Sequence, residues 1–361
     1  MSGGVGTAGR VAWIDASRGF LVILVVVGHA LMFLGRADMP VTEIAPSVRV
    51  AQLIRIPALF FLSGALFSHA AARPWRTVIG TRIVPMVWIL GVWLLVEVVL
   101  ASWRVGIDQA MPAGPARWLL AQVMIPEDYL WFIWGLAVMT VVARLLRSHP
   151  VLIVAVAAAM LLTPVYPELG GQTEKFFSYA PFYLLGFLVA PALRVRQRWL
   201  VGAGAISALI FVPLALARTE RGLVLTTDRL DEHLLTFLGL PAVALLGIVL
   251  TRLPGARMWN WLGRRTLAIY VAHMPLLVLA RWKVVGTARR YAEPYDHADL
   301  LFLVLLVIVV VALCALLHVV CDRLPFDGIL AEPRWLRRLV RGDGGSGGPT
   351  GRLASSRQAR T

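Results

Sequence analysis

The chain has 361 residues, 59% of them hydrophobic and only 15% charged, with a mean hydropathy of +0.76. Several apolar stretches reach membrane-spanning length, which excludes an ordinary soluble domain and indicates a multi-pass membrane protein. The net charge of +15 does not indicate nucleic acid, because the arginines fall between apolar spans rather than on one soluble surface.

The stretch Arg10 to Leu34 reads RVAWIDASRGFLVILVVVGHALMFL. Asp15 and Arg18 form a charged collar, spaced i, i+3 so that they can pair. An apolar run follows, and His29 appears inside it. An ionisable side chain at that depth is costly without a partner or a role. Eleven residues separate Arg18 from His29, so a helix places both on one face, roughly 16 Å apart along the axis. The charged interruptions and the lack of an A-x-A site imply that this span is retained rather than cleaved.

Ten spans are expected, at about 19–35, 48–68, 83–101, 129–147, 150–166, 176–193, 199–217, 233–252, 266–284 and 300–320. The fold class is therefore all-α, a polytopic membrane protein. Alternate loops carry arginines with few acids: Arg73, Arg76 and Arg82, then Arg144 and Arg147, then Arg194 to Arg198, then Arg252 to Arg265. The positive-inside rule assigns these loops to the cytoplasm of a plasma (inner) membrane. Both termini fall on that side, which requires an even number of crossings. The loop carrying Arg281 and Lys283 is the exception and is outvoted. Residues 1–18 read as a short cytoplasmic segment, 19–325 as the membrane domain, and 326–361 as a basic cytoplasmic tail. After Arg341 the tail is Gly/Ser-rich and expected to be disordered. The outer loops 102–128 and 218–232 are expected to shape a vestibule, with Glu127 and Asp128 at its edge.

Further polar residues punctuate the spans. In the second, Arg55 reads as a snorkelling cation near the outer boundary, and Ser63-Gly64 as a packing notch that lets another helix approach. Arg73, Arg76 and Arg82 form a basic cluster before the third span, suited equally to anionic lipid and to phosphate recognition. Glu97 lies deep in the third span and should have a partner, with His29 or an arginine as guesses. Tyr270 and His273 share a face of the ninth span. His318 in the tenth reads as packing. Cys314 and Cys321 give neither a disulfide framework nor metal spacing, so no metal is expected.

Several of these residues occur in one order: Asp15-x-x-Arg18-Gly19 with ten residues to His29, Pro57-x-x-Phe60-Phe61-x-Ser63-Gly64, and Arg82-Ile83-x-Pro85. Leu130-Trp131-Phe132, Pro181-Phe182-x-x-x-Gly186 and Tyr270-x-x-His273-x-Pro275 follow. Together they resemble the acyltransferase 3 family, integral-membrane O-acyltransferases, over about residues 10–325. The resemblance implies ten membrane helices, a cytoplasmic acyl-CoA donor such as acetyl-CoA, and a hydroxyl-bearing acceptor (glycan, lipid or small molecule) presented from outside. It implies that His29 is essential with Arg18 nearby, and that Arg82 helps hold the donor. Two departures stand out. Ile79 sits three residues before Arg82 where a second base is usual, with Arg73 and Arg76 as substitutes, and Tyr129 stands where the family often has histidine.

The expected chemistry is acyl transfer in which His29 acts as general base on the acceptor hydroxyl or as a transient acyl carrier. Arg18 and Asp15 frame the mouth, and Ser63, Glu97, Tyr270 and His273 support the reacting groups. Two rivals remain. A transporter or flippase for a polar or glycolipid substrate would use the same polar line. A non-catalytic scaffold would lose only abundance on replacement of His29 and Arg18. The acyl group, the acceptor and the oligomeric state are not legible in the sequence.

Overall fold

The computed structural model describes residues 12–35, 41, 44–102, 122, 129–162, 171–195, 197–221, 228–280, 298–323 and 328–341. Among them, every regular element is a helix. In chain order these are α1 (Ala12–Gly35), α2 (Ala45–Phe67) and α3, which opens as Trp75–Val78, passes through a π-helical stretch at Ile79–Ile83 and continues as Val84–Ser102. Next come α4 (Trp131–Leu146), α5 (Pro150–Leu162), α6 (Gly171–Tyr179) and α7 (Pro181–Val189). The series ends with α8 (Gln197–Arg221), α9 (Asp228–Leu250), α10 (Ala256–Arg264), α11 (Thr266–Ala280), α12 (Ala298–Arg323) and α13 (Arg334–Arg341).

Six of the described helices, α1, α2, α3, α8, α9 and α12, are long and apolar enough to cross a membrane. That is fewer than the ten spans expected. α4, α5 and α11 are apolar but shorter. The span expected at 176–193 is split at Ala180, because Pro181 has no N–H with which to continue the ladder from α6. The chain is a multi-pass membrane protein, and its helices keep their backbone bonds internal because lipid offers none.

α1 is the hub. It packs against α2, α9, α10, α11 and α12, and Leu21, Val22, Val25, Val26 and Ala30 are buried by them. α8 and α12 are peripheral and turn Ile206, Leu209, Leu301 and Ile308 outward, as a lipid-facing surface requires.

Prolines inside two packed helices would each leave a backbone carbonyl without a donor, and a hydroxyl from a neighbouring segment fills each of those gaps, while beside a third proline a hydroxyl inserts into the adjacent rung. Pro57 frees the Leu53 carbonyl, which accepts from Thr236 Oγ1 on α9 at 2.7 Å. Pro275 frees the Val271 carbonyl, which accepts from the Tyr129 hydroxyl at 3.1 Å. Beside Pro241, Ser207 Oγ of α8 donates to the Leu238 carbonyl and accepts from the Ala242 N–H at 3.1 Å, bridging the opened rung. These bonds fix which helices neighbour which.

α2 and α7 cross at a pair of glycines. A Cβ on Gly64 would overlap the Tyr183 carbonyl, and one on Gly186 would overlap the Phe61 carbonyl. Both obstacles are backbone, so neither can swing aside. The packing notch expected at Ser63-Gly64 is thus present. Gly64→Ala is expected to destabilise the protein by roughly 1–3 kcal/mol through overpacking. Gly91→Ala, where nothing lies within 4 Å of the added methyl, should have little effect. Thermal unfolding of the two purified variants tests this, and equal melting temperatures would refute it.

Residues 328–341, placed by the sequence in the tail, fold back on α3. Trp88 Nε1 donates to the Gly328 carbonyl at 2.6 Å and Trp93 Nε1 to the Ile329 carbonyl at 3.0 Å. Glu127, Asp128 and the tail beyond Arg341 lie outside the described residues.

Candidate functional site

His29 does not face outward into lipid. Its ring lies 5.1 Å from that of His273 on α11, centroid to centroid. Its Nδ1 is 2.7 Å from Met274 Sδ. A thioether only accepts, so Nδ1 carries the hydrogen and Nε2 is left as the basic nitrogen. His273 is fully buried. Its Nδ1 lies 2.6 Å from the Tyr270 carbonyl and 3.2 Å from that of Ile269. Carbonyls also only accept, which fixes the same tautomer. The Nε2 of His273 has no hydrogen-bond partner among the described residues. Two imidazoles, each with its Nδ1 turned to an acceptor, therefore sit together inside the bundle.

On one side of this pair lies a cavity of about 210 Å³. Arg18 from α1, Ser63 from α2, Arg82 from the π-helical stretch of α3, Thr140 from α4 and Tyr270 from α11 line it. A π-helical turn is wider than an α-turn and shifts the angular register of what it carries. That shift accompanies the placement of Arg82 beside Arg18. Tyr270 joins the cavity to the imidazoles, because its ring also lies 5.6 Å from that of His273.

The arrangement couples a cationic cavity to a basic pair, the parts that transfer of a group from an anionic carrier requires. A family model described as an acyltransferase domain matches residues 11–319. The chain belongs to the acyltransferase 3 family. It is also similar to the nodulation protein NolL of Mesorhizobium japonicum, with 26% identity over 192 residues, 51% of this chain and 49% of that protein. The match therefore spans about half the length of that relative. No solved structure matches the chain.

The fold gathers some of the residues singled out in the sequence and separates others. His29, His273, Tyr270, Ser63, Arg18 and Arg82 converge on the cavity and the imidazole pair. Arg73 and Arg76 are exposed and do not line that cavity. Instead, the Arg73 carbonyl accepts from Arg144 Nη2 at 3.1 Å. Asp15 and Glu97 are buried but likewise do not line it. Ser63 Oγ donates to the Leu59 carbonyl at 2.7 Å, and the Tyr270 hydroxyl donates to the Tyr129 carbonyl. Each hydroxyl hydrogen is thus engaged, and what these oxygens offer the cavity is lone pairs. Tyr129, at the position where a histidine is common, closes the gap below Pro275 and lies 5.9 Å from His273, ring to ring. His318 pairs with Asp322 one helical turn on, at 3.3 Å.

Sequence reasoning missed Arg55. It does not snorkel outward but packs into the bundle. Its Nη1 donates to the Leu24 carbonyl of α1 at 3.3 Å, and its guanidinium occupies the space where a Cβ on Gly28 would stand. A fixed cation is thereby set one residue from His29, within electrostatic reach of both imidazoles. The signal was Gly28 immediately before His29, a place where only a hydrogen leaves room for a neighbour.

Proposed function

We propose that this acyltransferase moves an acyl group, acetyl by default, from cytoplasmic acyl-CoA to a hydroxyl of a surface glycan, lipid or secondary metabolite. The observation that supports this most is the junction at Tyr270 between the Arg18/Arg82 cavity and the His29/His273 pair. On this reading that cavity opens to the cytoplasmic side of the plasma membrane, with both termini on the same side and about ten crossings, as the arginine-rich loops favour.

The donor's phosphates meet Arg82 and Arg18 at the cavity mouth, where guanidinium forks match phosphate oxygens. The pantetheine arm enters along α1 toward His29. In direct transfer, His29 Nε2 takes the acceptor's hydroxyl proton as the oxygen attacks the thioester carbonyl. The carbon–sulfur bond then breaks, and the CoA thiolate takes the proton back from the imidazolium. In the stepwise route, His29 Nε2 attacks first and CoA leaves as thiolate, giving an acylimidazolium; the acceptor oxygen then attacks the acyl carbon while His273 takes its proton, the acyl–nitrogen bond breaks to restore neutral His29, and the proton passes from His273 to the thiolate. Arg55 stands where negative charge on the carbonyl oxygen would be balanced.

The test is incubation of membranes containing the protein with [14C]acetyl-CoA. Alkali-labile label in envelope material, absent from membranes with empty vector, is the expected result. Uptake of polar solutes without any such label would favour the transporter reading and overturn this one.

A further inference from the structure

A cavity of about 450 Å³ opens on the flank of the bundle, next to the one that holds Arg18 and Arg82. Pro85 and Leu267 form the wall that the two share. The rest comes from the end of α10, the first turn of α11, the last turns of α12 and the segment that folds back on α3. Ile89, Ala268 and Leu330 make that wall aliphatic, and Arg264, Arg265, His318 and Glu332 supply its charged and ionisable groups. Val87 on α3 and Leu316 on α12, each two residues from a lining residue, are exposed. The cavity therefore adjoins the surface that lipid tails cover.

Its charges do not cancel. Glu332 has Arg337 Nε at 3.8 Å. Asp322 is within electrostatic reach of Arg265 but has His318 Nε2 at 3.3 Å. Neither Arg264 nor Arg265 forms an ion pair among the described residues. Arg265 Nε is buried there without a hydrogen-bond partner. The Arg265 guanidinium lies over the Trp261 ring at 4.2 Å, which fixes its plane and leaves an N–H edge for an oxyanion. Arg264 is exposed beside it.

The neighbouring α13 reads RWLRRLVR. Its Trp335 is exposed and meets Trp88 of α3 edge to face at 6.0 Å. Arg338 and Leu339 are exposed farther along. Arginines interleaved with Trp and Leu suit a helix that lies between headgroups and acyl chains. A nucleotide would instead call for an aromatic face under its base, and among the described residues the only ring in the lining is the imidazole of His318.

We propose that this flank cavity is a binding site for an anionic phospholipid. Arg264 and Arg265 hold its phosphate as a fork, its acyl chains leave past Val87 and Leu316, and α13 lies over the adjoining headgroups. A zwitterionic headgroup carries its own cation beside the phosphate, so the two guanidiniums favour a lipid without one. The site stands independently of the acyl-transfer reading.

The test is native mass spectrometry of the full-length protein in neutral detergent, titrated with phosphatidylglycerol or phosphatidylcholine. Wild type is expected to hold phosphatidylglycerol at least tenfold more tightly. Arg264→Gln/Arg265→Gln should weaken that affinity at least tenfold. Arg252→Gln/Arg257→Gln, two exposed arginines nearby in sequence and outside the cavity, should stay within twofold of wild type. Should the double variant fail to fold, Arg264→Gln alone, at an exposed position, is expected to weaken binding at least threefold. Equal affinity for the two lipids, or unchanged binding in the cavity variants, overturns the site. So does an equal loss in the Arg252/Arg257 variant, which would mark diffuse surface charge. Displacement of phosphatidylglycerol by CoA would assign the cavity to a nucleotide and overturn it as well.

Discussion

His29→Ala is expected to lower acyl transfer by about 10²–10⁴-fold, the usual contribution of a positioned acid–base group, with the protein still folded and membrane-inserted. The fold should survive because His29 is only half-buried and its recorded hydrogen bond is to a thioether, a weak acceptor. Its neighbour makes a useful contrast. His273 is fully buried and bonds to two carbonyls of its own helix, so His273→Ala should reduce stability as well as rate. The measurement is transfer from saturating acyl-CoA, alongside thermal unfolding of the same preparations. A His29→Ala protein that melts like wild type and transfers within twofold of it would remove His29 from the chemistry. Peptide mass spectrometry after rapid acid quench separates the two routes, since only the stepwise one leaves an acyl group on His29.

How far the sequence reached is best judged helix by helix. The line from Arg18 to His29 lies on one helix, so spacing alone exposes it. The notch at Ser63-Gly64 is equally local, and the structure gives it a mate in Gly186. What spacing cannot reach is the partner 245 positions away: the meeting of His29 with Met274 and His273 depends on α11 lying against α1. The hydroxyl-bearing Ser63 and Tyr270 read in the sequence as support for the reacting groups. Packing commits both hydrogens to carbonyls. Arg55 resembled a boundary cation because its glycine receptor, Gly28, is on another helix. Span counting reads past the break at Pro181, since hydropathy averages over it, and six of the described helices have spanning length.

The second large effect concerns the donor. Each of Arg18→Gln and Arg82→Gln is expected to raise the KM for acyl-CoA about 10–100-fold, because a hydrogen bond to a charged group contributes about 1.5–3 kcal/mol and 1.4 kcal/mol is tenfold. kcat should change much less, since the phosphates do not react. Arg73→Gln and Arg76→Gln set the comparison. Both side chains are exposed and outside the cavity, where an ionic contact is worth about 0–1 kcal/mol, so their KM shifts should stay below about fivefold. Cavity size leads to the same division. About 210 Å³ is smaller than the roughly 300–1,000 Å³ that encloses a drug-sized ligand. On the proposed reading only the acylated arm of the donor would fit, which would leave its nucleotide at the mouth against the two arginines. Should Arg73→Gln or Arg76→Gln raise KM more than Arg18→Gln and Arg82→Gln do, the donor docks on the exposed cluster instead. The arginines beside the Tyr270 junction would then serve the thioester or the bilayer rather than the phosphates.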